Sequence, residues 1–403
     1  MKFAHMADCH IGSWRDPKLK ELSILAFERA VDICIEKKVD FILICGDLFN
    51  TSLPGIDFLK RTTKKLKELE RKEITVYVIP GSHDFSPSGK TILDVLEEAE
   101  LLINVVKGSV KDDILKLKFT INKKTGTKIT GLLGRRGLLE RSYYEKLDKK
   151  SLEEEPGSKI FMFHTALSEL KPIELEKMDS APISFLPKGF EYYAGGHVHI
   201  VRDETLEGYK KVVYPGPLFP ANFSELEKLK QGGFYIYNHG KLEFMPINVK
   251  NVFLLQVDAH RKTPQEVFEE IVDVIKNHEF NNTIVLLRIF GKLKSGKPSD
   301  VDFKKIFTMI YGKAAFFVMK NTSKLISEEF EEIKITASSV EEIENEIIKE
   351  NLGQINTSFS KNEEVVAKKF LEILTTEKKE GEKVYEFNKR IKDELDNILN
   401  LNE

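Results

Sequence analysis

Asp40-Phe-Ile-Leu-Ile-Cys-Gly-Asp-Leu-Phe-Asn50 is an apolar run of strand length that stops abruptly at Gly-Asp. Phe41–Cys45 lacks polar alternation, which predicts a strand buried on both faces, and Asp47 lies just past its carboxyl end. The same order repeats on either side. Phe3–Ala7 is a short apolar run followed by Asp8 and His10. A helix is expected from about Pro17 to Lys37, where Leu22, Leu25, Ala26, Ala30, Ile33 and Cys34 recur at spacings of three and four. A lysine-rich helix, Phe58–Arg71, precedes the strand Ile74–Ile79, and His83 follows it. Lys159–Phe163 leads to His164, and Tyr192–Ala194 leads to His197 and His199; Gly233–Tyr237 and Leu242–Ile247 read as later strands. This rhythm predicts an α/β domain over residues 1–249 with a sheet covered by helices on both faces.

Beyond Val249 the pattern changes. Val252–Val257, Thr283–Phe290 and Ala315–Met319 read as strands, and Pro264–Lys276 and Val301–Tyr311 as helices between them. They define a smaller α+β domain, 250–338. A charged helix and polar linker are expected over 339–360. Two helices then follow in 361–403, one carrying Val366, Phe370, Ile373 and Leu374, the other Val384, Phe387, Ile391, Leu395 and Ile398. Each has one apolar stripe on a charged surface.

The chain has 403 residues, 41% hydrophobic and 31% charged, which excludes wholesale disorder and leaves room for two or three domains. Lys and Arg total 62 against 64 Asp and Glu, so binding to nucleic acid by bulk charge is not expected; a local patch would be needed. Three cysteines are too few for a disulfide framework and fit a reducing cytoplasm. Neither a signal peptide nor a membrane span is expected.

Five of the nine histidines and two aspartates lie just past the carboxyl ends of expected strands. That edge is where an α/β sheet builds its sites. Singly, each piece has an ordinary structural reading: a turn after a strand, a surface histidine, a hydrogen-bonded loop. Gly196-His-Val-His199 is the least ordinary, because strand alternation would place its two imidazoles together. As an ordered set, these residues predict a metal site. Imidazole and carboxylate ligands without thiolates favour Mn, Fe or Zn over Mg or Ca. There are more ligands than one ion needs, and two ions about 3.5–4 Å apart suit phosphoester hydrolysis.

Asp8-Cys-His10, Gly46-Asp-Leu-Phe-Asn50, Gly81-Ser-His-Asp84, Phe163-His164 and Gly196-His-Val-His199 resemble, in that order, the motifs of the calcineurin-like metallophosphoesterases. Within them, Gly46-Asp-Leu-Phe-Asn-Thr-Ser-Leu-Pro54 resembles the SbcD/Mre-eleven nucleases of double-strand-break repair. The resemblance implies a four-layer α/β sandwich with a small cap and a C-terminal helical segment. It implies that Asp8, His10, Asp47 and His199 hold one metal, with Asp47 bridging, and that His164 and His197 join Asp47 on the second. His83 would be the non-ligand acid, with Asp84 its orienting partner. Ser82 stands where the family carries a ligating Asn, and Asn50 where several relatives carry a histidine implicated in exonuclease action. Two divalent ions, with Mn expected, DNA as substrate, a homodimer through the first domain, and an SMC-like ATPase of the SbcC/Rad-fifty type gripped by the terminal helices complete the expectation. A small-molecule or nucleotide phosphoesterase would need neither cap nor tail, and a DNA-end scaffold with weakened catalysis would rest on Ser82 alone.

Lesser signals have competing readings. Gly89-Lys-Thr91 is not a P-loop, since Asp84 stands where the first glycine is required. The basic run from Lys60 to Lys72 is interleaved with Glu68 and Glu70 and reads as a solvated helix face. Arg135 and Arg136, with Arg141 near Tyr143 and Tyr144, form a candidate phosphate patch. Trp14, beside Arg15, either borders the substrate groove or packs a loop.

Overall fold

The structure is a computed structural model that describes residues 1–86, 89–135, 141–175, 178–327, 363–376, 378–379 and 382–399. Arg136 and the expected linker at 339–360 lie outside the described residues. The chain divides into two compact units, Met1–Glu328 and Glu329–Glu403.

The first unit begins β1 (Lys2–Met6), α1 (Pro17–Glu36), β2 (Phe41–Cys45), α2 (Ile56–Arg71), β3 (Thr75–Ile79), α3 (Ile92–Glu98) and β4 (Ile103–Asn104). A hairpin of β5 (Gly108–Lys111) and β6 (Ile114–Leu117) precedes β7 (Thr120–Ile121) and β8 (Lys128–Gly131). Short helices α4 (Arg141–Glu145) and α5 (Lys149–Glu154) lead to β9 (Lys159–His164) and β10 (Tyr192–Gly196). Then come β11 (Arg202–Leu206), β12 (Tyr209–Tyr214), α6 (Phe223–Leu229), β13 (Gly232–Asn238) and β14 (Lys241–Ile247).

These strands form two six-stranded sheets, ordered β14-β13-β1-β2-β3-β4 and β11-β12-β10-β9-β8-β7. The rhythm of the sequence suggested one sheet between two helical layers; the structure has two sheets packed face to face. Strand parity explains the sandwich. Phe41, Leu43 and Cys45 of β2 point inward and meet Ile160, Met162, Tyr192 and Ala194 of the second sheet. Ile42 and Ile44 point outward beneath Leu22, Ala26, Phe27 and Ala30 of α1. Every residue of β2 is buried, so its apolar run needs no alternation. The second sheet's outer face, with Phe161, Phe163, Tyr193 and Tyr214, is covered by Leu132, Leu152, Leu167 and Leu186 from loops and short helices.

The basic run on α2 serves the fold. Arg61 pairs with Glu21 and Glu28, and Lys65 with Asp32, so α2 is pinned to α1. Thr91 caps α3 by accepting the Leu93 N–H at 3.2 Å.

The rest of the first unit is β15 (Asn251–Asp258), α7 (Pro264–Lys276), β16 (Thr283–Leu293), α8 (Phe303–Gly312) and β17 (Phe317–Ser327). Both strand pairings are parallel, so this smaller sheet consists of βαβ crossovers, an α/β rather than an α+β arrangement. One face packs Leu255, Val257, Val285 and Leu287 against Val267, Ile271, Ile306 and Ile310 of α7 and α8. Ile284 and Leu286 point the other way and join the core beneath α1. The last strand runs to Ser327 rather than Met319, through the polar stretch Lys320–Lys324, where composition hides it.

In the second unit, α9 (Glu363–Leu374) and α10 (Val384–Leu399) are helices, as the two stripes suggest. Phe370, Ile373, Phe387, Ile391 and Leu395 are half-buried. Arg390 binds Glu382 at 2.9 and 3.0 Å. Among the described residues no helix is long and apolar enough to cross a membrane. Cys9, Cys34 and Cys45 are all buried free thiols.

Candidate metal centre

The carboxyl ends of β1, β2, β3, β9 and β10 converge where the two sheets meet. The loops after β1 and β2 stay zipped beyond their strands: the Asp8 N–H donates to Gly46 O at 3.2 Å, the His10 N–H to Asp47 O at 2.9 Å and the Ile11 N–H to Leu48 O at 3.0 Å. The second sheet is stitched to the first at the same place. His164 Nδ1–H donates to Cys45 O at 2.8 Å, and the His197 N–H donates to Asp8 at 2.9 Å.

Three overlapping groups bring ligand atoms within 4.8 Å of one another: Asp8, His10 and His199; His10, Asp47 and His83; and Asp8, Asp47 and His164. His197 adjoins them, its ring centroid 5.1 Å from that of His164. The backbone is bent to achieve this. Asp8, His10, Asp47 and His197 adopt φ of 48°, 41°, 51° and 88°, a region that non-glycine residues enter at a cost and that concentrates at working sites. His197 and His199 therefore converge through a left-handed turn after β10, not by alternating along a strand. Close approach also demands glycine. A Cβ on Gly46 would lie 2.1 Å from His164 Nδ1, and one on Gly196 2.0 Å from Cys45 O.

The donor set fits a divalent cation. With Nδ1–H committed to Cys45, His164 presents the Nε2 lone pair 3.3 Å from Asp47 Oδ2, and this buried nitrogen has no hydrogen-bond partner. His10 Nε2 and His199 Nε2 face each other at 3.0 Å, an approach that lone pairs resist without a cation or proton between them. Among the described residues no lysine or arginine pairs with Asp8 or Asp47.

Burial raises Asp8 above the usual carboxylate range. Burial also acts on Asp47, but the charge of His164 outweighs it and holds Asp47 well below that range. Burial pushes His10 down to about 3 and His197 down to about 4. It opposes charge on His164 and His199 too, yet Asp47 lifts His164 to about 10 and Glu225 lifts His199 to about 9. The cluster thus draws positive charge to the Nε2 atoms of His164 and His199, the positions a cation would take from the protons.

Around this core, the Ser82 hydroxyl lies 3.4 Å from Asp47 Oδ2. His83 donates its backbone N–H to Asp47 Oδ1 at 2.7 Å, and its Nδ1 lies 2.9 Å from the Asn50 carbonyl. That carbonyl, not Asp84, orients the His83 ring. Asp84 is fully buried and accepts the N–H groups of Gly81, Asp47 and Phe49. Burial, with Asp47 nearby, pushes its carboxyl up to about 7. Its place is beneath the Asp47 loop. Trp14 donates Nε1–H to Pro220 O at 3.0 Å and packs against the core beneath α1, which is the loop-packing alternative. Arg135 lies over the rings of Phe85 and Tyr143, 5.5 and 5.8 Å from their centroids. Arg141 lies over Phe185 and pairs with Glu145.

Glu225, on α6, is the participant that strand-end reasoning missed: its Oε1 accepts His199 Nδ1–H at 2.9 Å. The available signal was Asn222-Phe-Ser-Glu225, a helix-start pattern with its acid at the third helical position.

Residues 1–201 match the family model described as calcineurin-like phosphoesterase. The chain is also similar to the DNA double-strand break repair protein Mre11 of Archaeoglobus fulgidus, 26% identical over 361 residues, covering 84% of this chain and 77% of the relative. The Mre11 of Methanococcus maripaludis is 26% identical over 377 residues, 88% of this chain and 92% of the relative. That of Methanocaldococcus jannaschii is 27% identical over 352 residues, 82% and 84% of the two chains. With the strand-end Asp and His residues gathered in the matched segment, the chain belongs to the calcineurin-like phosphoesterases, a family of metal-dependent enzymes.

Proposed function

We propose that this protein is a two-metal DNA nuclease that processes double-strand-break ends, with Mn as its working ion. The observation that carries the proposal is the pair of nitrogens His164 Nε2 and His199 Nε2. Both are aimed at buried carboxylates while their Nδ1 atoms are committed to Cys45 and Glu225. The similarity to Mre11 proteins along most of the chain supports DNA as substrate.

Asp8, His10, Asp47 and His199 would hold one ion, and Asp47, His164 and His197, with Ser82 at its edge, the other. When bound, the ions supply a water activated at neutral pH and charge to offset that developing on the phosphoryl oxygens. His83 completes the reaction. Its Nδ1 is held by the Asn50 carbonyl and its ring groups with His10 and Asp47; as the imidazolium it would give its Nε2 proton to the leaving oxygen and keep the Nδ1 proton on Asn50. Asp84 keeps the Asp47 backbone in its strained turn. Arg135 and Asn50 would line the DNA path. The apolar stripes of α9 and α10 would grip an SMC-like ATPase of the SbcC/Rad-fifty type, and the first domain would pair two copies of the chain.

The test is hydrolysis of single- and double-stranded linear DNA with Mn, with and without that ATPase. Mn-dependent cleavage that chelation abolishes is expected. Turnover of small phosphodiesters with DNA left intact would overturn the substrate assignment.

A further inference from the structure

His199 is held from behind. Its Nδ1–H donates to Glu225 Oε1 at 2.9 Å, leaving Nε2 to face the site, 3.9 Å from Asp8 Oδ1. Glu225 is fixed in turn: Oε2 accepts the Ala221 N–H at 2.8 Å, Asn222 Nδ2 donates to Oε1, and Asn222 Oδ1 accepts the Glu225 N–H at 3.0 Å. In the conformation it adopts, the carboxylate meets all these donors at once while it sits on His199.

The segment that carries Glu225 is braced from two directions. Two residues further along α6, Glu227 meets Arg288 of β16 in a two-pronged ion pair, Nε to Oε1 and Nη2 to Oε2. The two side chains are only 15% and 19% exposed, and the guanidinium lies over the Phe223 ring, 5.2 Å from its centroid. Such a fork is geometrically specific in a way a lysine contact is not. Upstream of α6, Pro220 accepts the Trp14 indole N–H at 3.0 Å. The smaller sheet therefore reaches the metal centre through a continuous line: Arg288, Glu227, α6, Glu225, His199.

We propose that Glu225 is a positioning residue of the metal centre and that the smaller domain, through Arg288 and Glu227, keeps it seated on His199. The inference rests on the reading of His199 as a metal ligand. A carboxylate behind a ligating imidazole fixes its tautomer and ring orientation and raises its basicity. If Glu225 served only to cap α6, its loss would lower stability and leave metal affinity alone.

The test uses the full chain and Mn titration by calorimetry, with the visible absorption of the Co-loaded protein as a second readout. Thermal unfolding in chelator reports stability independently of the ion. Glu225→Ala is expected to weaken one of two sites by about 10–100-fold and to change the Co spectrum. Glu225→Gln, whose amide oxygen still accepts from Nδ1, should recover most of the affinity. Arg288→Met is expected to weaken the same site by a smaller factor. Wild-type Mn affinity in Glu225→Ala, with a site lost in His199→Ala, would overturn the proposal and leave the ligand assignment standing. Unchanged binding in His199→Ala would overturn both. Unchanged binding in Arg288→Met would overturn the brace from the smaller domain.

Discussion

Asp84 Oδ2 accepts the backbone N–H of Asp47 at 2.9 Å, so one buried carboxylate holds the loop that presents another. The same oxygen accepts the Gly81 N–H at 2.8 Å, tying the loop after β3 to the loop after β2. Asp84→Ala strands these buried donors at about 1–3 kcal/mol each, and frees the Asp47 turn. Denaturant unfolding should show the lost stability, and Mn content should fall with it. Asp84→Asn keeps one acceptor and should lie between. Wild-type stability in Asp84→Ala would contradict the bracing role.

Asp47→Ala should abolish hydrolysis. Its Oδ2 lies between His164 Nε2 at 3.3 Å and His10 Nε2 at 3.7 Å, so its loss removes charge from both proposed sites. Metal analysis of the purified variant, paired with turnover, decides. Two retained ions and normal rates would sink the bridging assignment.

The side chain of Ser82 is too short to make a strong ligand, and its hydroxyl is already 3.4 Å from Asp47 Oδ2. Ser82→Asn is expected to tighten the second site and raise hydrolysis at low Mn by about 10-fold, the lower end of what outer-shell changes cost. Superimposable Mn-dependence curves for the two proteins would show that Ser82 does not border the ion.

Metal should also stabilise the fold, because the proposed ligands come from both sheets. At an Mn concentration one hundred times Kd, binding contributes about 2.7 kcal/mol. A domain of this size should then melt several degrees higher, at about 2–4 °C per kcal/mol. The shift should vanish in Asp47→Ala. An identical melting temperature in Mn and in chelator would count against binding at this place.

Much of this was written in local pattern. The uninterrupted Phe41–Cys45 run required two buried faces, and the residues after each strand marked the working edge. Less was legible where long-range geometry decides. Nothing in the β-α rhythm says that β9 and β10 belong to a second sheet, because a strand buried on both faces reads alike in either arrangement. The left-handed turns at Asp8, His10, Asp47 and His197 carry no glycine signature, since tertiary contacts impose them. The orienting group for His83 is a backbone carbonyl, which no side-chain motif reports. Glu225 could have been found from its helix-start pattern, but its approach to His199 spans 26 positions and is a product of folding.

Removing the chain beyond Ser360 deletes α9 and α10, whose stripes motivate the partner assignment. The remaining protein should keep its Mn-dependent stability and lose co-purification with the SMC-like ATPase. Undiminished affinity for that ATPase would place the interface elsewhere.

The most direct test of the metal centre is calorimetric titration of the full chain with Mn. Two ions per chain are expected for the wild type and one for His199→Ala. A single ion in the wild type, or two in the variant, would contradict the assignment of Asp8, His10, Asp47, His164, His197 and His199 to a two-metal site.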